Sequence, residues 1–408
     1  MWLALAIFAF TYLVILGQKI PYLHLDRPSG AAVGAVAMVV LGIVTPEEVY
    51  REAINWETIV LLLGMMILSA YLAAAGFFRR ASWLAIHAAK TPRRLLAGVT
   101  LVCAGLSALL VNDTVCLMVT PLVLQVVDDA DLPPLPYLLA VAFGANAGSA
   151  ATPTGNPQNM IVATLSGISY AEFTASLAPA AIVATLAVLG VLLWLFRGAL
   201  DARPLAPAQI DAPPVDRALL VKALVALAGV VTGFFAGADL AWTAMAGAAF
   251  LLLVGGSAPR VVLERVDGIL LLFFAGLFVV VYAVGKTGAA DAIFAGIAPF
   301  ATGGPWKEAA VLGTATVILS NVFSNVPFVL LAAHWIPGFR DPTLAWKVLA
   351  LTSTLAGNLT IVGSVANVIV LELAGRHGRV SFGRFLRYGL PVTALGTVAG
   401  TCVLLALR

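Results

Sequence analysis

The second half of the chain repeats the polar punctuation of the first. LSALLVNDTVCLMVTPLV (106–123) followed by AGSAATPTGNPQNMIV (147–162) has its counterpart in LSNVFSNVPFVLLAAHWI (319–336) followed by AGNLTIVGSVANVIV (356–370). Each pair sets an Asn-containing break inside one apolar run and a Gly-rich, Asn-containing break inside the next. Hydrocarbon offers freed backbone groups no partner, so such breaks persist only where protein or a wet cavity surrounds them. Matched interruptions in two halves of a membrane chain point to a secondary transporter with its site at the repeat interface.

The environment follows from composition. Of 408 residues, 61% are hydrophobic and 11% charged, against about 25% charged in soluble domains. The chain therefore reads as an all-α polytopic membrane protein with the lipid bilayer as its first partner. A net charge of +3, dispersed along the chain, argues against nucleic acid. Cys103, Cys116 and Cys402 lie in apolar runs without metal or redox spacing and read as packing residues. The apolar N-terminus lacks a basic n-region and reads as a retained first crossing.

At about 20 apolar residues per crossing, ten crossings are expected, near 2–17, 30–45, 57–77, 137–165, 172–196, 217–237, 240–255, 268–286, 346–372 and 385–407. The runs 95–127 and 309–336 carry a polar break near the middle and read as re-entrant hairpins. With 78–94 placed inside, seventeen basic residues fall on the cytoplasmic side, among them Lys19, Arg79, Arg80, Arg203 and Arg265, and six outside, among them Arg51, Lys286 and Lys347. Both termini then lie outside. Five crossings per half force the second copy to be inverted relative to the first.

The expected domains are a first repeat, 1–196 (scaffold crossings 1–77, interfacial helix 78–94, hairpin 95–127, broken helix 137–165), a cytoplasmic linker, 197–217, and a second repeat, 218–408 (scaffold 218–286, hairpin 309–336, broken helix 346–372). In 78–94, Phe77, Phe78, Trp83, Leu84 and Ile86 supply an apolar side, and Arg79, Arg80, His87 and Lys90 a charged one.

The first hairpin tip is Asn112-Asp113-Thr114. A carboxylate flanked by apolar sequence at this depth is expensive and marks function. It suits Na⁺ coordination by oxygen or proton carriage. The second tip, Ser324-Asn325-Val326, puts Val326 where the first has Asp113, so one titratable group distinguishes the halves. In the breaks, Gly155 and Gly363 permit unusual backbone, and Pro153 and Pro157 interrupt the helix. The second break has no proline, so its rupture is less firmly indicated. Unwinding exposes carbonyls that suit a cation and N–H groups that suit an anion. The candidate solute ligands are Asn112, Thr114, Thr154, Gly155, Asn156, Asn159, Ser324, Asn325, Gly363, Ser364 and Asn367. The candidate coupling-ion ligands are Asp113, Asn112, Thr152, Asn325, Asn358 and Thr360. Glu57 and Asp267, at matching starts of the third crossing of each half, read as helix caps.

NDTVCLMVTPLVL and SNVPFVLL resemble the paired hairpin motifs of the ion transporter superfamily, and GSAATPTGNPQN and GNLTIVGSVAN resemble its paired broken-helix motifs. The likeness spans nearly the whole chain. The superfamily includes arsenite permeases, divalent anion:sodium symporters and sodium/proton antiporters. The resemblance implies a homodimer whose scaffold (crossings one to three and six to eight) carries an elevator made of the hairpins and the remaining crossings. The symporters have Ser-Asn-Thr at both tips. This chain departs from it at both, and Asp113 is nearer the arsenite-permease branch. The expected function is ion-coupled secondary transport of a small anion or oxyanion across the cytoplasmic membrane. No cofactor is expected beyond Na⁺ as a coupling ion. The alternative is a sodium/proton antiporter using Asp113. A passive channel fits less well, because the polarity is confined to the midplane, and an enzyme least, because no nucleophile–base pair or metal cluster is present.

Overall fold

The computed structural model describes residues 1–17, 25–200, 212–256, 258–377 and 379–408. Lys19, Arg203, the greater part of the 197–217 linker and the Ile86 side chain lie outside the described residues. The described residues form helices and no strand. The first half gives α1 (Trp2–Gly17), α2 (Arg27–Val40), α3 (Pro46–Glu48), α4 (Trp56–Ala74), α5 (Phe77–Ala88), α6 (Pro92–Leu109), α7 (Asn112–Asp129), α8 (Pro134–Ser149), α9 (Pro157–Ser166) and α10 (Tyr170–Leu195). The second half repeats the succession as α11 (Arg217–Phe235), α12 (Leu240–Val254), α13 (Pro259–Leu263), α14 (Gly268–Gly285), α15 (Ala289–Ile297), α16 (Pro305–Phe323), α17 (Asn325–Ala332), α18 (Pro342–Ala356), α19 (Val365–Leu373) and α20 (Phe382–Ala406).

Helix starts follow local chemistry. Thr91, Asn156 and Asp341 each precede a proline and accept a backbone N–H of the first turn of α6, α9 and α18, an arrangement in which proline's missing donor costs nothing. Thr91 therefore starts α6 at Pro92, three residues before the expected hairpin boundary. Arg93 and Arg94 join that helix, and the interfacial helix shortens to α5. Within α5, Phe78 is buried, and Arg80 sits 4.5 Å over the Trp83 ring. The cap of α4 is Asn55, whose Oδ1 accepts the Thr58 N–H at 2.8 Å. Asp267 does the same for α14 through Leu270 at 3.0 Å. Asn55, rather than Glu57, is thus the structural counterpart of Asp267.

Among the described residues six helices, α4, α6, α10, α11, α14 and α20, are long and apolar enough to cross a membrane. Packing respects exchange of the halves: α4 lies on α12 as α14 lies on α2, α6 on α8 as α16 on α18, α9 on α18 as α19 on α8, and α10 meets its own counterpart α20. Every residue from Leu135 to Ser149 in α8 is buried. In α18 the run from Val348 to Ala356 is buried too. A helix apolar all round belongs inside, so α8 and α18 form the centre and carry the two broken crossings there.

Candidate functional site

Both crossings break. α8 ends at Ser149, a 3₁₀ turn covers Pro153–Gly155, and α9 begins at Pro157. α18 ends at Ala356, a 3₁₀ turn covers Ile361–Gly363, and α19 begins at Val365. The proline-free second break ruptures because its carbonyls have a dedicated donor. Asn367 Nδ2 donates to Gly357 O at 2.7 Å and Thr360 O at 2.9 Å. Asn159 Nδ2 does the same for Ser149 O at 3.2 Å and Thr152 O at 3.1 Å. These carbonyls, expected to be free, thus each accept a side-chain N–H. The turns also demand glycine. A Cβ at Gly155 would lie 2.2 Å from Ser149 O, and one at Gly363 would lie 2.6 Å from Asn321 Oδ1.

The halves brace one another crosswise. Asn146 of α8 donates from Nδ2 to Asn358 Oδ1 at 2.9 Å and Asn367 Oδ1 at 3.2 Å, and its Oδ1 accepts from Ser364 Oγ at 3.0 Å. Thr354 of α18, its counterpart, donates to Asn159 Oδ1 at 3.2 Å and accepts from Asn156 Nδ2 at 3.1 Å. Thr152 Oγ1 donates to Ala108 O at 2.6 Å, and Thr360 Oγ1 to Asn321 Oδ1 at 2.8 Å, tying each break to the helix that leads into the neighbouring tip, α6 or α16. Thr154 Oγ1 shares a 3.4 Å contact with the Tyr170 hydroxyl.

The two tips and the second break converge on one small cavity. Asn112, Asp113, Ser324, Asn325, Gly363 and Ser364 face it, with Gln158 from the start of α9 and the Phe273–Phe274 pair of α14. Its volume of about 30 Å³ is about two to three times the minimum that one water needs. Asp113 is the charged residue in its wall, 8% exposed, and its carboxylate makes no ion pair among the described residues. Thr114 lines a larger neighbouring cavity instead. Thr152, Thr154, Gly155, Asn156, Asn159, Asn358, Thr360 and Asn367 stand behind the small cavity as its frame. Val326 does line it, so the Asp-to-Val difference between the tips falls on the site itself.

A larger cavity lies toward each end of the molecule. One of about 360 Å³ reaches Asp113 past Met66, Ala70, Arg265, Asp267 and Leu270. The other, of about 670 Å³, is lined by Arg51, Asn55, Phe278, Tyr282 and His334 among others and stops short of Asn325. The start of α4 and the later part of α14 share the second. The later part of α4 and the start of α14 share the first. These equivalent helices therefore run antiparallel.

Asn146 and Thr354 are the groups that the motif reading missed. Asn146 had a visible signal, an amide three residues before Ser149 in an otherwise apolar run. Phe273 and Phe274 had none, since α14 is apolar throughout. In the sequence Arg265 reads only as one of the seventeen cytoplasmic basic residues, with nothing to link it to Asp113.

Residues 11–356 match the model of a family described as citrate transporter. The chain is 30% identical to a silicon efflux transporter of Oryza sativa subsp. japonica, over 96% of this chain and 95% of that one. It is 34% identical to an uncharacterized transporter of Mycobacterium tuberculosis, over 97% and 96%. A putative transporter, arsB, of Dictyostelium discoideum is 26% identical over 93% and 87%. The crystal structure of the Alcanivorax borkumensis YdaH transporter shares the fold, with a TM-score of 0.57 at 17% identity, covering 99% of this chain and 96% of that one. With the family model covering most of its length and two relatives at 30% or more matching it nearly end to end, the chain belongs to the citrate transporter family, as a multi-pass membrane transporter rather than an enzyme.

Proposed function

We propose that this protein is an ion-coupled secondary active transporter of a small anion or oxyanion in the cytoplasmic membrane. The observation that carries the reading is the meeting of both hairpin tips and the second break around one buried carboxylate. Asp113 takes up the coupling ion, H⁺ or Na⁺. The amides and hydroxyls of Asn112, Ser324, Asn325 and Ser364 bind the solute beside it. The antiparallel run of α4 and α14 supports two inverted repeats, and the seventeen-to-six bias of basic residues puts the Arg265 cavity on the cytoplasmic side. Movement of the hairpins and the crossings from α8 to α10 and α18 to α20 against the rest, in a homodimer, completes an elevator. The relative named as a silicon efflux transporter and the family's description as citrate transporter put both oxyanions and carboxylates among the solutes to try.

The test is transport in proteoliposomes with imposed pH and Na⁺ gradients, over arsenite, silicate, phosphate and citrate. Asp113→Asn should abolish gradient-driven movement of the accepted solute while folding remains intact. Full pH- and Na⁺-dependent transport in that variant would sink the role of Asp113. A second reading, sodium/proton antiport without an anion, is favoured by the lack of any Lys or Arg in the small cavity's wall. It predicts Na⁺ or Li⁺ movement that is indifferent to every anion offered.

A further inference from the structure

A cavity of about 30 Å³ holds a few waters at most and is about a tenth of the smallest ordinary ligand pocket, so its wall is expected to widen as cargo enters. The two tips are the candidate gates, being chain ends of helices rather than packed helix interiors. They are not held alike.

The first tip is bolted down. Asn112 Nδ2 donates to Asn146 Oδ1 at 3.1 Å, and Asn112 Oδ1 accepts the Asp113 N–H at 3.0 Å. Asn146 is 2% exposed, and with Asn112, Ser364, Asn358 and Asn367 as partners both its N–H groups and both lone pairs are used. One amide thus fixes the tip that carries Asp113 to the break of the opposite half.

The second tip has no such bolt. The position equivalent to Asn146 is Thr354, whose bonds go to Asn156 and Asn159. Asn325 Oδ1 is buried without a hydrogen-bond partner. Ser324 adopts φ 66° and ψ 154°, a region that side chains other than glycine's avoid and that surrounding structure must enforce. Ser324 also gives α17 no side-chain cap. The last anchor before this tip is Asn321, which holds Ala356 O at 3.0 Å and accepts from Thr360.

We infer that the tips are unequal gates. Asn146 is a positioning residue that latches the Asp113 tip to the second half, and the Ser324–Asn325 tip is the part that swings, hinged beyond Asn321, to admit cargo. Strain at Ser324 and the idle oxygen of Asn325 lower the cost of opening there. This rests on the small cavity being the transport site, yet the latch reads out whichever solute is carried.

Hydrogen–deuterium exchange of the full chain in nanodiscs tests it without a ligand. Amides of residues 324–328 should exchange about tenfold or more faster than those of 111–115, the scale of one hydrogen bond in an opening equilibrium. Asn146→Ala should raise exchange at 111–115 by a similar factor and leave 324–328 unchanged. Asn112→Ala should do the same, and the double variant should add nothing further. If Asn146→Ala does not fold, the wild-type comparison and Asn112→Ala decide. Equal exchange at the two tips, faster exchange at 111–115 in the wild type, or an Asn146→Ala effect spread evenly over both tips would overturn the inference.

Discussion

Two backbone positions at the site are dictated by what surrounds them, and single substitutions probe them in opposite directions. At Gly155 a Cβ would meet Ser149 O at 2.2 Å and its Cα at 2.7 Å. Both are backbone atoms, so the contact is not relieved by turning a side chain. Gly155→Ala should destabilise the purified protein by about 1–3 kcal/mol, the range for forced overpacking. Gly190→Ala in α10, where a Cβ meets nothing within 4 Å, should be neutral or slightly stabilising. Paired melting curves check the contrast, and equal melting points would refute it. At Ser324 the sign reverses. Its backbone strain is worth about 1–3 kcal/mol, and glycine's extra unfolded freedom offsets about 0.5–1 kcal/mol of that, so Ser324→Gly should raise the melting point modestly. A fall would mean that the hydroxyl holds the tip. The residue types at these sites were legible because amides, a carboxylate and glycines stand out in an apolar chain. Their division of labour was not: Asn156, Asn159, Asn358 and Asn367 read as ligands, yet their side chains bond to other parts of the frame.

At the scale of elements, the broken crossings show why the second rupture was harder to read. Pro153 and Pro157 interrupt the first break covalently, whereas the second depends on Asn367, which acts from outside the turn it stabilises. Asn367 makes three bonds, to Gly357 O, Thr360 O and Asn146 Nδ2. Asn159 likewise reaches Ser149 O, Thr152 O and Thr354 Oγ1. Removing Asn367 leaves Gly357 O unpaired, at about 1–3 kcal/mol, whereas without Asn159 the Ser149 carbonyl keeps Asn156 Nδ2 and the Thr152 carbonyl keeps the Gly155 N–H. In the first break proline still forbids the helical alternative, so relaxation there is limited. Asn367→Ala should therefore lower the melting point further than Asn159→Ala and cost more transport, because the second break can close up toward a continuous helix. An equal or reversed order would show that proline contributes nothing to holding the first break. The start of α6 at Pro92 was legible only in part. The charge at Arg93 and Arg94 argued for an interfacial segment, while the Thr91 cap ahead of proline starts the helix before them.

Across the whole molecule, the all-helical class and the places of the two breaks were legible because polar residues at depth mark register. The exchange by which α4 packs on α12 while α14 packs on α2 was not, since faces of uniformly apolar helices carry no directional signal. That exchange, with the shared cavities, makes a strong statement about topology. Arg51 and Arg265 are both exposed and line different cavities. In inverted repeats those cavities open on opposite sides. The control background is a variant with Cys103 and Cys116 replaced by Ala and Cys402 by Ser, the first two being buried and the third exposed. In that background Arg265→Cys should react with a membrane-impermeant maleimide only in inside-out vesicles, and Arg51→Cys only in right-side-out ones. Labelling of both from one side would refute the inverted arrangement, even with every helix in place. Labelling from opposite sides but in the reverse sense would keep the repeats and turn the molecule over, placing the approach to Asp113 outside and making the basic-residue bias a poor guide to this chain.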